Sequence, residues 1–135
     1  MRRDGDGSEL STDEVKKTID DIAALSDETM IVLTGGEPLL RRDLDELASY
    51  VTGLGLMAVV GTNATTLDDK RAKRLKDAGV QGVGISIDSL DPGYHDNFRG
   101  MPGAWEKAMR GIDACRNNDL RFQIHFSVTD DNAHE

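Results

Sequence analysis

The stretch IVLTGGEPLLRRD, residues 31–43, decides the fold. An apolar, β-branched run ends in Thr-Gly-Gly-Glu-Pro, and a charged, helix-like pattern follows at once. Met30–Thr34 is continuous in apolarity and of strand length, which predicts a strand buried on both faces, as in a parallel sheet. Asp43–Leu54 then places Leu44, Leu47, Ala48 and Val51 on one helical face, with Gly53 and Gly55 near its end. The join is therefore a strand C-terminus opening into a helix, and its two glycines and carboxylate sit at the mouth of the strand.

Working outward, the same unit repeats. Ser11 and Glu14 have capping-box spacing for a helix that carries Val15, Ile19, Ile22 and Ala23. Leu56–Gly61 reads as a strand. Leu67–Ala78 reads as a helix with Asp68 and Asp69 at its positive end. Val80–Ile87 is a strand, Gly103–Asn117 a helix and Leu120–Val128 a strand. Strands alternating with helices predict an α/β fold, a parallel sheet of βα units. A strand is expected before the first helix, beside Ile31. Its absence from the sequence predicts that the chain is a piece of a longer protein or has lost that strand. Residues 1–10 and 130–135 read as tails around a core of 11–129.

Composition excludes several classes. The 135 residues suffice for one domain with a core. They are 38% hydrophobic and 30% charged. No run of about 18 apolar residues is present to span a membrane. The N-terminus, MRRDGDGSEL, lacks the apolar segment of a secretory signal. Asp and Glu outnumber Lys and Arg 25 to 16, for a net charge of −9. That balance opposes nonspecific binding to nucleic acid or anionic lipid. It fits either an ordinary acidic domain or a host with high internal salt. The single cysteine, Cys115, permits no intrachain disulfide, which fits a reducing cytoplasm.

In parallel α/β folds the working loops lie at the strands' C-terminal ends. Gly35 and Gly36 allow a sharp turn and close approach to backbone atoms, Glu37 adds an anionic acceptor, and Pro38 stiffens the exit. Such a loop suits an ammonium, although glycine and proline are also ordinary turn formers. Thr62, Asn63, Ser86 and Asp88 add hydroxyls, an amide and a carboxylate on neighbouring strand ends. Each could instead cap its own loop. Together they suit a ligand carrying an amine, a carboxylate and a ribose. Asp91-Pro92-Gly93 reads as a turn. His95 has no Cys or His partner at metal-ligand spacing. Arg99 either holds a substrate carboxylate or pairs with a nearby aspartate, the second being favoured. His125, within the last strand, reads as a satisfied structural histidine. Cys115 and Trp105 read as packing residues. Neither a G-x-G-x-x-G nor a P-loop pattern occurs, which sets phosphate-cradle chemistry aside.

These motifs resemble the radical S-adenosylmethionine superfamily. The likeness is carried by LTGGEPLLRRDLDELASYVTGLGL, then TNATTL, then GISIDSLDPGYHDNFRGMPGAWEKAMRGIDACRNNDLRFQI, and covers residues 10–129. Within the superfamily, HDNFRGMPGAWEKAMRGIDACR is similar to the maturases of alternative haem and haem d1 biosynthesis. The resemblance implies the central fragment of a partial (βα)6 TIM-like barrel. It implies a [4Fe–4S] cluster that binds S-adenosylmethionine, whose reductive cleavage gives a 5′-deoxyadenosyl radical that abstracts hydrogen from substrate. It further implies a small-molecule, tetrapyrrole or peptide substrate and an electron-donor protein. Carried over by motif, Gly35, Gly36 and Glu37 meet the methionyl ammonium. Ser86 contacts the methionyl carboxylate or ribose, with Asp88 nearby. Thr62 and Asn63 belong to a Thr-Asn-Gly segment in which Ala64 replaces the usual glycine. The chief departure is the cluster. The family's three cysteines, usually C-x3-C-x2-C on the loop after the first strand, are not in this sequence, and Cys115 lies on a later helix. The expectation is an inactive fragment of a radical enzyme. The other reading is a non-catalytic α/β binding module that has lost the cluster.

Overall fold

The computed structural model describes residues 9–26 and 28–135. Helix α1, Thr12–Ala23, opens on the expected capping box. The Ser11 hydroxyl accepts from the Glu14 amide at 3.3 Å, and the Glu14 carboxylate accepts from the Ser11 amide at 2.8 Å. Strand β1 is Met30–Leu33, followed by a single 3₁₀ turn at Pro38–Leu40. Helix α2, Leu44–Gly53, buries the predicted face of Leu44, Leu47, Ala48 and Val51. Strand β2 is Met57–Thr62. Helix α3, Asp69–Asp77, is capped by Asp68, whose side chain accepts from the Arg71 amide at 2.7 Å. Strand β3 is Gly82–Ser86, and strand β4 is Phe122–His125.

Between β3 and β4 lie two helices where the sequence suggested one. Helix α4, Pro92–Arg99, precedes α5, Ala104–Asn117. The residues read as a turn are its start. Asp91 accepts from the Tyr94 amide, Pro92 takes the first helical position, and Gly100 ends the helix at φ 62°. That is the usual division of labour between proline at a helix start and glycine just past its end. Asp96 then starts the next helix by accepting from the amides of Trp105, at 2.9 Å, and Gly103. Those two bonds, Trp105 first, lower its pKa below the ordinary carboxylate value.

The four strands are parallel in the order β1-β2-β3-β4. The register aligns Leu33 with Val60, Gly61 with Gly84, and Ser86 with His125. One face of the sheet is covered by helices. Val60, Val83 and Ile85 pack there with Leu44, Leu75, Ile112 and Leu120, while Ile19, Leu47, Val51, Leu56 and Ala58 form a second cluster under α1. The other face is open, which corrects the expectation of strands buried on both sides. Met30 is 54% exposed, Val32 49% and Met57 48%. The apolar run reflects two different surfaces, a helix-covered core and a concave, barrel-like inner wall.

The C-terminal segment also departs from expectation. Instead of a tail, residues 130–135 turn back over the β3 end. The Asn132 side chain is 1% exposed, and its amide donates to the carbonyls of Asp88 (2.7 Å) and Ser127 (2.9 Å). The N-terminal tail expected over residues 1–10 falls mostly outside the described residues. Among the described residues, no helix is long and apolar enough to cross a membrane.

Candidate functional site

Because the strands are parallel, the turn after β1 and the ends of β2, β3 and β4 share one rim. Gly35 has φ 151°, a backbone conformation that residues with a Cβ rarely adopt. Nothing lies within 4 Å of where a Cβ would stand on Gly35 or on Gly36. The turn therefore presents bare backbone to open space on the rim.

Glu37 does more than its sequence position suggested. One carboxylate oxygen accepts from the Leu39 amide at 3.0 Å and from the Thr62 hydroxyl at 2.5 Å. The other accepts from the Asn63 amide at 2.8 Å. The side chain caps its own 3₁₀ turn and also fastens the β1 turn to the end of β2. Thr62, 4% exposed, passes the connection on by accepting from the Ala64 amide at 2.9 Å. The Asn63 side chain closes a local turn, accepting from the Thr65 amide and hydroxyl. Ala64 sits at φ 57°, so the glycine usual in this segment has a backbone reason that alanine meets with strain.

Ser86 lies half-buried at the C-terminal end of β3 and opposite His125. Asp88 is 0% exposed and turned inward. It accepts from Arg99 Nε at 2.5 Å, and its amide donates to His95 Nδ1 at 3.2 Å. Arg99 is thus paired with an aspartate, the favoured of the two sequence readings. Burial lowers the His95 pKa below its ordinary 6.5, and the neutral ring is the acceptor for the Asp88 amide. The structure brings Gly35, Gly36, Glu37, Thr62 and Asn63 together, with Ser86 on the same rim. Asp88 lies beneath that rim as part of the wall.

His125 is the main correction. It is exposed on the open face, not satisfied in the core. Its ring lies over Gly84, where a Cβ would come within 2.5 Å of the ring. It pairs with the Gln123 amide. Gly84 is the only signal in the sequence, a strand glycine marking close approach of another group.

Cys115 is buried, and burial pushes its thiol up to about 11. Among the described residues no group of three or more His, Cys, Asp or Glu could hold a metal ion. The residues present therefore do not fit an iron–sulfur cluster. The exposed glycine backbone, the Glu37 carboxylate and the Ser86 hydroxyl are polar groups on the strand-end rim.

A parallel sheet of βα units with a glycine-carboxylate turn on its strand-end rim is the architecture of part of a βα barrel. The chain belongs to the radical SAM superfamily, whose description it matches over residues 1–135. It is 45% identical over 127 residues to the AdoMet-dependent heme synthase of Methanosarcina barkeri, covering 94% of this chain and 36% of that protein. The Fe-coproporphyrin III synthase of the same organism is 40% identical, over 95% of this chain and 32% of that protein. The pre-heme d1 synthase of Dinoroseobacter shibae is 36% identical, over 92% and 30%. The chain thus spans about a third of the length of these relatives. Among solved structures, anSMEcpe with bound AdoMet superposes with a TM-score of 0.71 at 18% identity, covering 89% of this chain and 35% of that one. That likeness supports the βα barrel arrangement seen here.

Proposed function

We propose that this chain carries the S-adenosylmethionine-binding wall of a radical enzyme acting in haem or related cofactor biosynthesis. The observation that carries the reading is the Gly35-Gly36 turn, open on the rim and fastened to the end of β2 by Glu37. S-Adenosylmethionine supplies, in this superfamily, a radical centre that abstracts hydrogen from substrate. The chain's own residues bind and orient. The backbone at Gly35 and Gly36, with the Glu37 carboxylate, receives the methionyl ammonium. Ser86 receives the carboxylate or ribose. Glu37 and Thr62 hold the two loops at fixed separation, and Asp88 with Arg99 stiffens the wall below Ser86.

No step is assigned to the cluster, because the residues of this chain offer no ligand set for it. The enzyme reading expects that set, and an electron-donor partner in a reducing cytoplasm, to serve the whole protein. The test is anaerobic iron and sulfide reconstitution of the protein encoded by the complete reading frame, followed by reduction with S-adenosylmethionine. Formation of 5′-deoxyadenosine supports the reading. A colourless product that releases none favours a non-catalytic binding module.

A further inference from the structure

Glu37 fastens the ends of β1 and β2. The ends of β3 and β4 have a fastening of their own, and it centres on Asn132. The Ile87 amide donates to the His125 carbonyl at 3.0 Å. Past that bond the Asn132 side chain spans the two segments. It donates to the carbonyl of Asp88, after β3, at 2.7 Å and to that of Ser127, after β4, at 2.9 Å. Its oxygen accepts from the Thr129 amide at 2.6 Å. Two donors and an acceptor on one short side chain are what an asparagine amide supplies. At 1% exposure those groups depend on protein partners, and all are satisfied. Every other residue from 130 to 135 is exposed, so this segment adds little to the apolar core.

Asp88 is the residue that Asn132 holds. Its amide donates to His95 Nδ1 at 3.2 Å, and its carboxylate accepts from Arg99 Nε at 2.5 Å, both on α4. Its carbonyl is taken by Asn132. Residue 88 is therefore fixed from two sides, by α4 and by the segment after β4. Ser86, two residues earlier, ends β3. With the sheet on one side of it and a pinned residue on the other, its backbone has little freedom, and its hydroxyl keeps one place on the rim.

We propose that Asn132 is a positioning residue for the rim. By holding the Asp88 carbonyl it fixes the turn after β3 and so aims Ser86 at the bound ligand. The inference rests on the reading of the rim as an S-adenosylmethionine site, and it adds a residue buried behind that site.

The test compares wild type with Asn132→Ala, Asn132→Asp and Thr129→Val. Asn132→Asp keeps the acceptor and the size but loses both donors. Thr129→Val removes the 3.1 Å bond between the Tyr94 and Thr129 hydroxyls and keeps the Asn132 contacts, so it loosens the same segment without releasing Asp88. Without ligand, amide hydrogen exchange at Ile87 and Asp88 is expected to quicken about tenfold in both Asn132 variants, the scale of one hydrogen bond. It is expected to stay at the wild-type rate in Thr129→Val. With millimolar S-adenosylmethionine, the Asn132 variants are expected to lose the amide NMR shifts at residues 86–90 and to keep those at 34–38 and 61–64. A role in general stability would move all three sets together. Loss of the folded circular dichroism spectrum in both Asn132 variants would overturn the proposal. So would exchange unchanged from wild type, equal quickening in Thr129→Val, or uniform loss of the shifts. Absence of shifts from wild type itself would remove the rim reading and this ligand with it. Exchange at Ile87 and Asp88 is read without ligand, so the two failures are told apart.

Discussion

At the scale of single residues, Glu37 and its two glycines separate structure from binding. Glu37 accepts three hydrogen bonds from two loops, and charge-assisted bonds contribute about 1.5–3 kcal/mol each. Glu37→Gln keeps the shape but turns an N–H towards a donor. It is expected to lower stability by about 1–2 kcal/mol in urea denaturation. Gly36 has open space where a Cβ would stand and lacks the unusual φ of its neighbour. Gly36→Ala is therefore expected to unfold within about 0.5 kcal/mol of wild type. It should nonetheless lose the S-adenosylmethionine shifts at 34–38, because the methyl occupies the rim. A variant that binds normally would remove the turn from the site. His95 adds a pH signature. Its folded pKa lies below 6.5, so the unfolded chain takes up protons first as pH falls below that value. Stability is then lost progressively from about pH 6.5 downward, until the folded ring also protonates. His95→Asn keeps an acceptor for the Asp88 amide and cannot titrate. Denaturation midpoints between pH 5 and 7 are expected to flatten in that variant.

At the scale of elements, the loop after β2 and α5 meet in close contact. A Cβ on Gly111 would come within 2.9 Å of both the Cβ and the carbonyl oxygen of Ala64, itself buried at φ 57°. Gly111→Ala is expected to destabilise by about 1–3 kcal/mol, the usual range for overpacking. Adding Ala64→Gly should return much of the loss, since it removes one of the clashing methyls and relaxes the backbone. A double-mutant cycle with no coupling would refute the contact. This pair was half legible. The sequence showed Ala64 where glycine is usual, but not the helix glycine that faces it. The other elements divide in the same way. Periodicity was enough for α2, whose buried face matched residue by residue, and for the four parallel strands. Helix α4 was hidden because Asp91, Pro92 and Gly93 satisfy a turn and a helix start equally well. The open face was hidden because Val and Met look alike to a hydropathy pattern, whether they face a core or an open groove. His125 was misread for the same reason. Strand position gives a side chain's face, not what lies opposite it.

At the scale of the whole molecule, the proposed S-adenosylmethionine site on the rim is only part of what a radical enzyme uses to bind that cofactor. The glycine backbone, Glu37 and Ser86 offer a few hydrogen bonds, each worth about 1 kcal/mol net and more when charged. Binding must offset several kcal/mol of lost freedom. The isolated chain is therefore expected to bind S-adenosylmethionine at millimolar strength or not measurably in calorimetry. Submicromolar affinity would mean that the chain holds a complete site.

The Glu37 clamp sets the unit in which this surface can be rebuilt. The turn after β1 and the loop after β2 are 25 residues apart in sequence but share one carboxylate. Swapping in a turn from a distant relative without residues 62–64 would strand that carboxylate's donors, so the two loops have to be transplanted as a single cassette.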